Sequence, residues 1–109
     1  MARALVNALE EKKGEDIVLL DIQHIASFAD YFVICSGTSD RMLESLAQAV
    51  QEAAKQGYQI YSQIEGHAND GWLVVDLGDV VVHLFSPDQR EYYGLEELWG
   101  RGRVLLRLQ

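Results

Sequence analysis

Apolar residues recur along the chain with two periods, and the switches between them divide it into elements. In residues 2 to 13, Leu5, Val6 and Leu9 share one stripe while Asn7, Glu10, Glu11 and Lys13 lie elsewhere, which predicts a short amphipathic helix closed by Gly14. Ile17 to Ile22 form a near-continuous apolar run that suits a strand covered on both faces, and after a loop around Gln23 to Ala29 a second strand is expected over Asp30 to Ser36. Thr38 or Ser39 then caps the longest helix, Asp40 to Gln56, with a stripe of Leu43, Leu46, Ala47, Val50, Ala53 and Ala54 and with Gly57 as its stop. A third strand is expected over Tyr58 to Ile64, and a loop from Glu65 to Asp70.

The stretch Gly71 to Ser86, GWLVVDLGDVVVHLFS, carries the clearest pattern. It reads as two strands joined by Gly78-Asp79, a Gly-first pair that suits a two-residue hairpin turn. Counting outward from that turn pairs Leu77 with Val80, Asp76 with Val81, Val75 with Val82, Val74 with His83, Leu73 with Leu84 and Trp72 with Phe85. One face is then wholly aliphatic: Leu73, Val75, Leu77, Val80, Val82 and Leu84. The other holds Trp72, Val74, Asp76, Val81, His83 and Phe85, a mixture of large aromatics with an acid and an imidazole that suits a partner-binding surface. A second helix layer over that face is the competing reading, and a one-residue slip would exchange the two faces.

Beyond the hairpin, Ser86 as N-cap, Pro87 in the first turn, Asp88 and Gln89 make a complete helix start, and the helix runs to about Tyr93 before Gly94 breaks it. Leu95 to Trp99 add one more turn. The tail from Gly100 shows no periodicity, and both disorder and an added edge strand fit it. The order α, β, β, α, β, β, β, α predicts an α/β (α+β) domain with a mixed five-stranded sheet flanked by helices.

Composition narrows the function. At 109 residues the chain has material for one core. No apolar run approaches the length of a membrane span, and the N-terminus turns charged too early for a signal peptide, so a cytosolic or organellar-matrix location is expected. The net charge is −8, and residues 1 to 100 hold six basic and 17 acidic side chains, because Arg101, Arg103 and Arg107 fall in the tail. Phosphate backbones would repel such a body, so a basic protein is the expected partner.

Catalytic signals are weak. Cys35 is alone in an apolar run and reads as a buried thiol. His24, His67 and His83 are scattered, and a metal set of Glu65, His67 and Asp70 on one loop is better read as solvated surface. The SGTSD turn (Ser36 to Asp40) could face an anion but lacks a phosphate-binding Lys and reads as an ordinary helix cap. Taken singly, Trp72 and Trp99 read as core residues, and only the hairpin register moves Trp72 toward an interface.

Four ordered blocks, DYFVICSGTS (Asp30 to Ser39), Glu65-Gly66, WLVVDLGDVVVHLF (Trp72 to Phe85) and R-x-x-Y-x-L-E-x-L-W (Arg90 to Trp99), resemble the ribosomal silencing factor family, also called Iojap-like. The likeness covers about residues 2 to 100, which sets a domain over residues 1 to 100 and a tail over 101 to 109. It implies a non-enzymatic protein of bacterial cytoplasm, organelles being the lesser alternative, with a nucleotidyltransferase-like fold lacking catalytic acids. It implies binding to the fourteenth protein of the large ribosomal subunit at the subunit interface, steric exclusion of the small subunit and repression of translation under nutrient limitation. No cofactor, no metal, no catalytic residue, no membrane and little direct RNA contact are expected, with organellar relatives acting in large-subunit assembly.

The docking face expected from hairpin and resemblance together is Trp72, Val74, Asp76, Val81, His83 and Phe85, with Glu65 and Asp70 at its rim and Arg90 and Tyr93 contributing from the following helix. Trp72 and Phe85 are its expected anchors. The rival reading is a metal-dependent nucleotidyltransferase using Asp30, Asp76 and Asp79. A homodimer of the free protein through a self-complementary sheet face is a further one.

Overall fold

The computed structural model describes residues 1–108, Leu98 by its backbone alone. The chain runs α1 (Ala2–Glu11), β1 (Glu15–Asp21), β2 (Tyr31–Ser36), α2 (Asp40–Tyr58), β3 (Ile64–His67), a single 3-10 turn (Ala68–Asp70), β4 (Trp72–Asp76), β5 (Val80–Phe85), α3 (Pro87–Tyr93), α4 (Leu95–Leu98) and β6 (Arg103–Leu108). The strands form one sheet in the order β3-β4-β5-β2-β1-β6, in which β2 and β5 are parallel and every other pair is antiparallel. It is a mixed α+β sheet flanked by helices, as the element order implies, but with six strands instead of five.

The β4–β5 register is the one counted from the turn. Trp72 lies opposite Phe85, Val74 opposite His83 and Asp76 opposite Val81, and the Leu77 amide donates to the Val80 carbonyl across 2.9 Å. Gly78 takes φ +87, and its amide donates to the Asp76 side chain. The aliphatic face, with Val75, Val82 and Leu84 wholly buried, packs under α1 and α2 against Leu5, Leu9, Leu43, Leu46 and Val50. Removing such side chains from water contributes about 2 kcal/mol each.

Three boundaries differ from expectation. α2 passes through Gly57 and ends at Tyr58, with Gln59 in the left-handed conformation (φ 54) as its cap. An interior glycine costs only about 1 kcal/mol, less than the packing along the stripe returns. Residues 60 to 63 therefore join no strand, and the Gln51 side chain holds them by donating to the Ser62 carbonyl at 2.8 Å. The third strand is consequently Ile64–His67, and Glu65 stands on it instead of in a loop.

The tail supplies the sixth strand. β6 pairs with β1 through Ile17 with Leu108, Leu19 with Leu106, Leu20 with Val104 and Asp21 with Arg103, and the register shifts between Leu19 and Leu20. That bulge changes the parity, so Leu106 and Leu108 share one face while Val104 and Arg107 share the other. A strand broken in this way shows no clean alternation.

A candidate protein-docking face

The second face of the sheet is half covered, and the cover decides which of its residues a partner can reach. Val18, Leu20, Ile22, Phe32, Ile34, Val81 and Phe85 are buried there beneath the loop after β1 and the α3–α4 segment. Ser86 caps α3 with its hydroxyl accepting from the Gln89 amide at 3.3 Å. The helix folds back over its own strand, bringing the Tyr93 ring to 4.4 Å from Trp72 and 5.9 Å from Phe85.

An unbroken row of rings crosses this face. Tyr92 contacts Tyr93 (5.1 Å between centroids) and Tyr93 contacts Trp72. Trp72 lies 6.0 Å from His83 and His83 4.7 Å from Phe32; beyond it, Trp99 is 5.4 Å from Phe32 and 5.8 Å from Phe28. The middle of the row is buried, with Phe32 4% and His83 8% exposed, Trp72 and Trp99 are half-buried, and the ends stand in solvent: Tyr92 79%, Tyr93 44% and Phe28 60% exposed.

At its centre the indole Nε1–H of Trp72 donates to Nδ1 of His83 at 3.3 Å, which leaves the imidazole proton on Nε2. That Nε2 is buried with no hydrogen-bond partner among the described residues. Burial pushes the His83 pKa from 6.5 down to about 4, opposed in smaller measure by the charge of Asp76.

Acids border the row. Glu65 stands opposite Val74 and Asp76 opposite Val81, so both share the face of the row, and both are exposed; Asp70 is exposed too, but on the 3-10 turn whose Ala68 packs into the aliphatic core. At the hairpin tip the Asp79 carbonyl accepts from the amides of Asp30 and Tyr31, so Asp30 and Asp79 adjoin. The expected face thus remains accessible at Trp72, Val74, Asp76, Glu65 and Tyr93. Phe85 is fully buried, and Val81 and His83 nearly so, because α3 and the Phe32 ring lie over them. Phe85 therefore seats α3 and Trp72 and cannot serve as an anchor for a partner.

Arg90 also differs from expectation. It is 8% exposed and points into the protein, where its Nη1 donates to the Asp16 carbonyl and to Ser36 Oγ (2.9 Å) while its Nε donates to Glu96 (2.8 Å). Arg107 of β6 closes the network, bidentate on the Asp16 carboxylate at 3.0 and 3.1 Å. Asp16 takes φ 46 in the β1 bulge, a conformation that turns both its carbonyl and its carboxylate toward the two guanidinium groups. Arg90 thereby ties α3 and α4 to β1 and β2, fixing the cover over the ring row.

Among the described residues no three His, Cys, Asp or Glu side chains converge as cation ligands, so neither Glu65, His67 and Asp70 nor Asp30, Asp76 and Asp79 make such a set. Ser39 caps α2 by accepting from the Met42 amide at 3.1 Å. Cys35 is buried, and burial pushes its thiol pKa up to about 12. Two open clefts of about 480 and 530 Å³ lie beside the Arg90 network and between α1 and α2; Trp72 lines neither. Phe28, Phe32, Tyr92 and the place of Trp99 in the row escape a sequence reading, because Phe28 sits in a loop without periodicity and the row assembles from six separate elements.

Comparison with known proteins points one way. A family model described as "Ribosomal silencing factor during starvation" matches residues 1–107. A Bacillus subtilis protein named ribosomal silencing factor RsfS is 44% identical over 93 residues, 85% of this chain and 79% of that one. A mouse protein named mitochondrial assembly of ribosomal large subunit protein 1 is 39% identical, over 87% of this chain but 43% of its own length. A crystal structure of a Chromobacterium violaceum protein superposes with a TM-score of 0.85 at 38% identity, covering 91% of this chain and 82% of that one.

Proposed function

The chain belongs to the ribosomal silencing factor family, and on that premise we propose that it docks on the large ribosomal subunit through its fourteenth protein and keeps the small subunit from joining. The observation that carries this reading is the ring row with its half-buried Trp72, bordered by Glu65 and Asp76 on a protein of net charge −8. A rigid aromatic supplies desolvation energy at low entropic cost, and surrounding acids steer a basic partner and set its register. Silencing of this kind is steric, so no catalytic group, cofactor or metal enters the mechanism. Contacts with rRNA are few in this reading, because phosphates and the acid rim repel each other. The site of action is the bacterial cytoplasm under nutrient limitation.

Two measurements test it. Wild-type protein should co-sediment with purified large subunits and lower the yield of joined ribosomes. Trp72→Ala should weaken binding to the isolated fourteenth protein by ~2 kcal/mol or more while remaining folded. Wild-type affinity in that variant would remove Trp72 from the interface. A second reading, assembly of the large subunit, is favoured by the name of the mouse relative; it predicts accumulation of precursor large subunits when the protein is depleted. A homodimer of the free protein that covers the same rings would appear in light scattering and dissociate when the ribosomal protein is added.

A further inference from the structure

We propose that Phe28, seated on Trp99, is a second apolar anchor for the same basic partner, at the opposite end of the ring row from Tyr92 and Tyr93. The inference rests on the docking reading above and extends it to residues outside the hairpin and the helix after it. Phe28 is 60% exposed, yet its seat is fixed: its ring meets Trp99 edge-on at 5.8 Å and Phe32 at 6.0 Å. The loop that carries it is held at both ends. The Ile22 amide donates to the Asp30 carbonyl at 2.9 Å, and the Asp30 and Tyr31 amides donate to Asp79 at 2.7 and 3.0 Å. A large ring held rigidly in water loses little conformational freedom when a partner covers it, which is what makes an aromatic an effective anchor.

Position and charge select the occupant. Three ring-to-ring steps of 6.0, 4.7 and 6.0 Å lead from Trp72 through His83 and Phe32 to Phe28. Both ends therefore fit one ordinary interface of ~800 Å² per partner, roughly 30 Å across. Buried Phe32 and His83 make a floor between two raised ends, the arrangement in which a partner closes over the centre and excludes water from it. Asp30 and Asp79 adjoin at this end and Asp76 lies along the same face, three acids against the exposed Arg101 in the turn after Trp99, while Arg103 is paired with Asp21 at 3.6 Å; the excess of acids favours a basic protein over nucleic acid or a second acidic copy of this chain.

The test is the affinity of the full chain for the isolated fourteenth large-subunit protein, by calorimetry, for wild type, Phe28→Ala, Phe28→Tyr, Trp72→Ala and Tyr61→Ala. Tyr61 is 75% exposed on the unpaired segment after α2 and serves as a control for losing an exposed ring. Phe28→Ala should bind at least tenfold more weakly while still folded and melting cooperatively, Phe28→Tyr within threefold of wild type, and Tyr61→Ala like wild type. If Phe28→Ala binds within twofold of wild type while Trp72→Ala is impaired, the second anchor is wrong and the docking reading stands. If the wild type does not bind this protein at all, both fall. A change in self-association by Phe28→Ala at unchanged partner affinity would assign the ring to a copy of the chain and overturn the proposal.

Discussion

The indole N–H of Trp72 and Nδ1 of His83 meet at 3.3 Å between diagonal positions of one hairpin, and this contact makes the buried imidazole an acceptor. An imidazolium has no lone pair to offer, so protonation would set two N–H groups against each other under the ring row. The contact thus suits the neutral form, and burial pushes the pKa of His83 down to about 4.

A pH dependence of stability follows. The unfolded chain takes up a proton at His83 near pH 6.5 and the folded chain only near pH 4. Stability is therefore intact above 6.5 and falls as pH drops through that window, by ~3 kcal/mol at its lower end. Urea midpoints at pH 7.5 and 4.5 should differ more for wild type than for His83→Gln, the carboxylates being common to both. Equal differences in the two proteins would show that His83 is not the titrating group.

Arg90→Met should cost ~2–3 kcal/mol, because it leaves the Asp16 carbonyl and Ser36 Oγ without their donor, while the Asp16 and Glu96 carboxylates, each partly exposed, keep Arg107 as a partner. Arg90→Lys should recover only part of this, since an ammonium on a flexible stem cannot reproduce the planar fork. Denaturant unfolding reads both. A loss below 1 kcal/mol for the methionine variant would mean that the network is not what holds α3 and α4.

Two glycines should respond with opposite signs. Gly71 leads into Trp72 with φ +77, and a β-carbon there would lie 2.6 Å from both Gln89 Cγ and Ser86 Oγ, against the start of α3. Gly71→Ala should cost ~2 kcal/mol or more. Gly57 lies inside α2 with nothing within 4 Å of such a carbon, so Gly57→Ala should stabilise by ~0.5–1 kcal/mol. Thermal melts of the two variants would decide; destabilisation by Gly57→Ala would contradict the helical assignment of that turn.

Cys35 should resist alkylation. The thiolate is the reactive species, and a buried thiol with its pKa pushed up to about 12 supplies almost none of it at pH 8. Iodoacetamide should label the protein in denaturant and leave the native form unmodified over the same hours. Rapid stoichiometric labelling without denaturant would mean that the β2–α2 region opens far more often than its burial implies.

Local chemistry was enough to read several features from residues alone. The Gly78-Asp79 turn sets the β4–β5 register, because a two-residue loop leaves only one way to count outward. Ser86, Pro87 and Gln89 determine where α3 begins, since cap and first turn are neighbours in the chain. The aliphatic face of the hairpin could only be core, and the Asp30 to Ser39 and Trp72 to Phe85 blocks already carried the family.

What the residues could not say is which distant segment lies on the other face. Alternation assigns Phe85 and Trp72 to the same side, but Phe85 is sealed by Tyr93 of α3 while Trp72 stays half open, and that difference comes from where the helix lands. The sequence places Arg90 on the helix beside the docking face, but remote Asp16 and Ser36, together with Glu96, draw it inward, and the β1–β6 bulge erases the period-two signal of the last strand. The row from Phe28 to Tyr92 is likewise written in no window of the sequence. Period and capping act between near neighbours and are determined by the chain itself; which half of a sheet face stays open is decided only when remote segments compete to cover it.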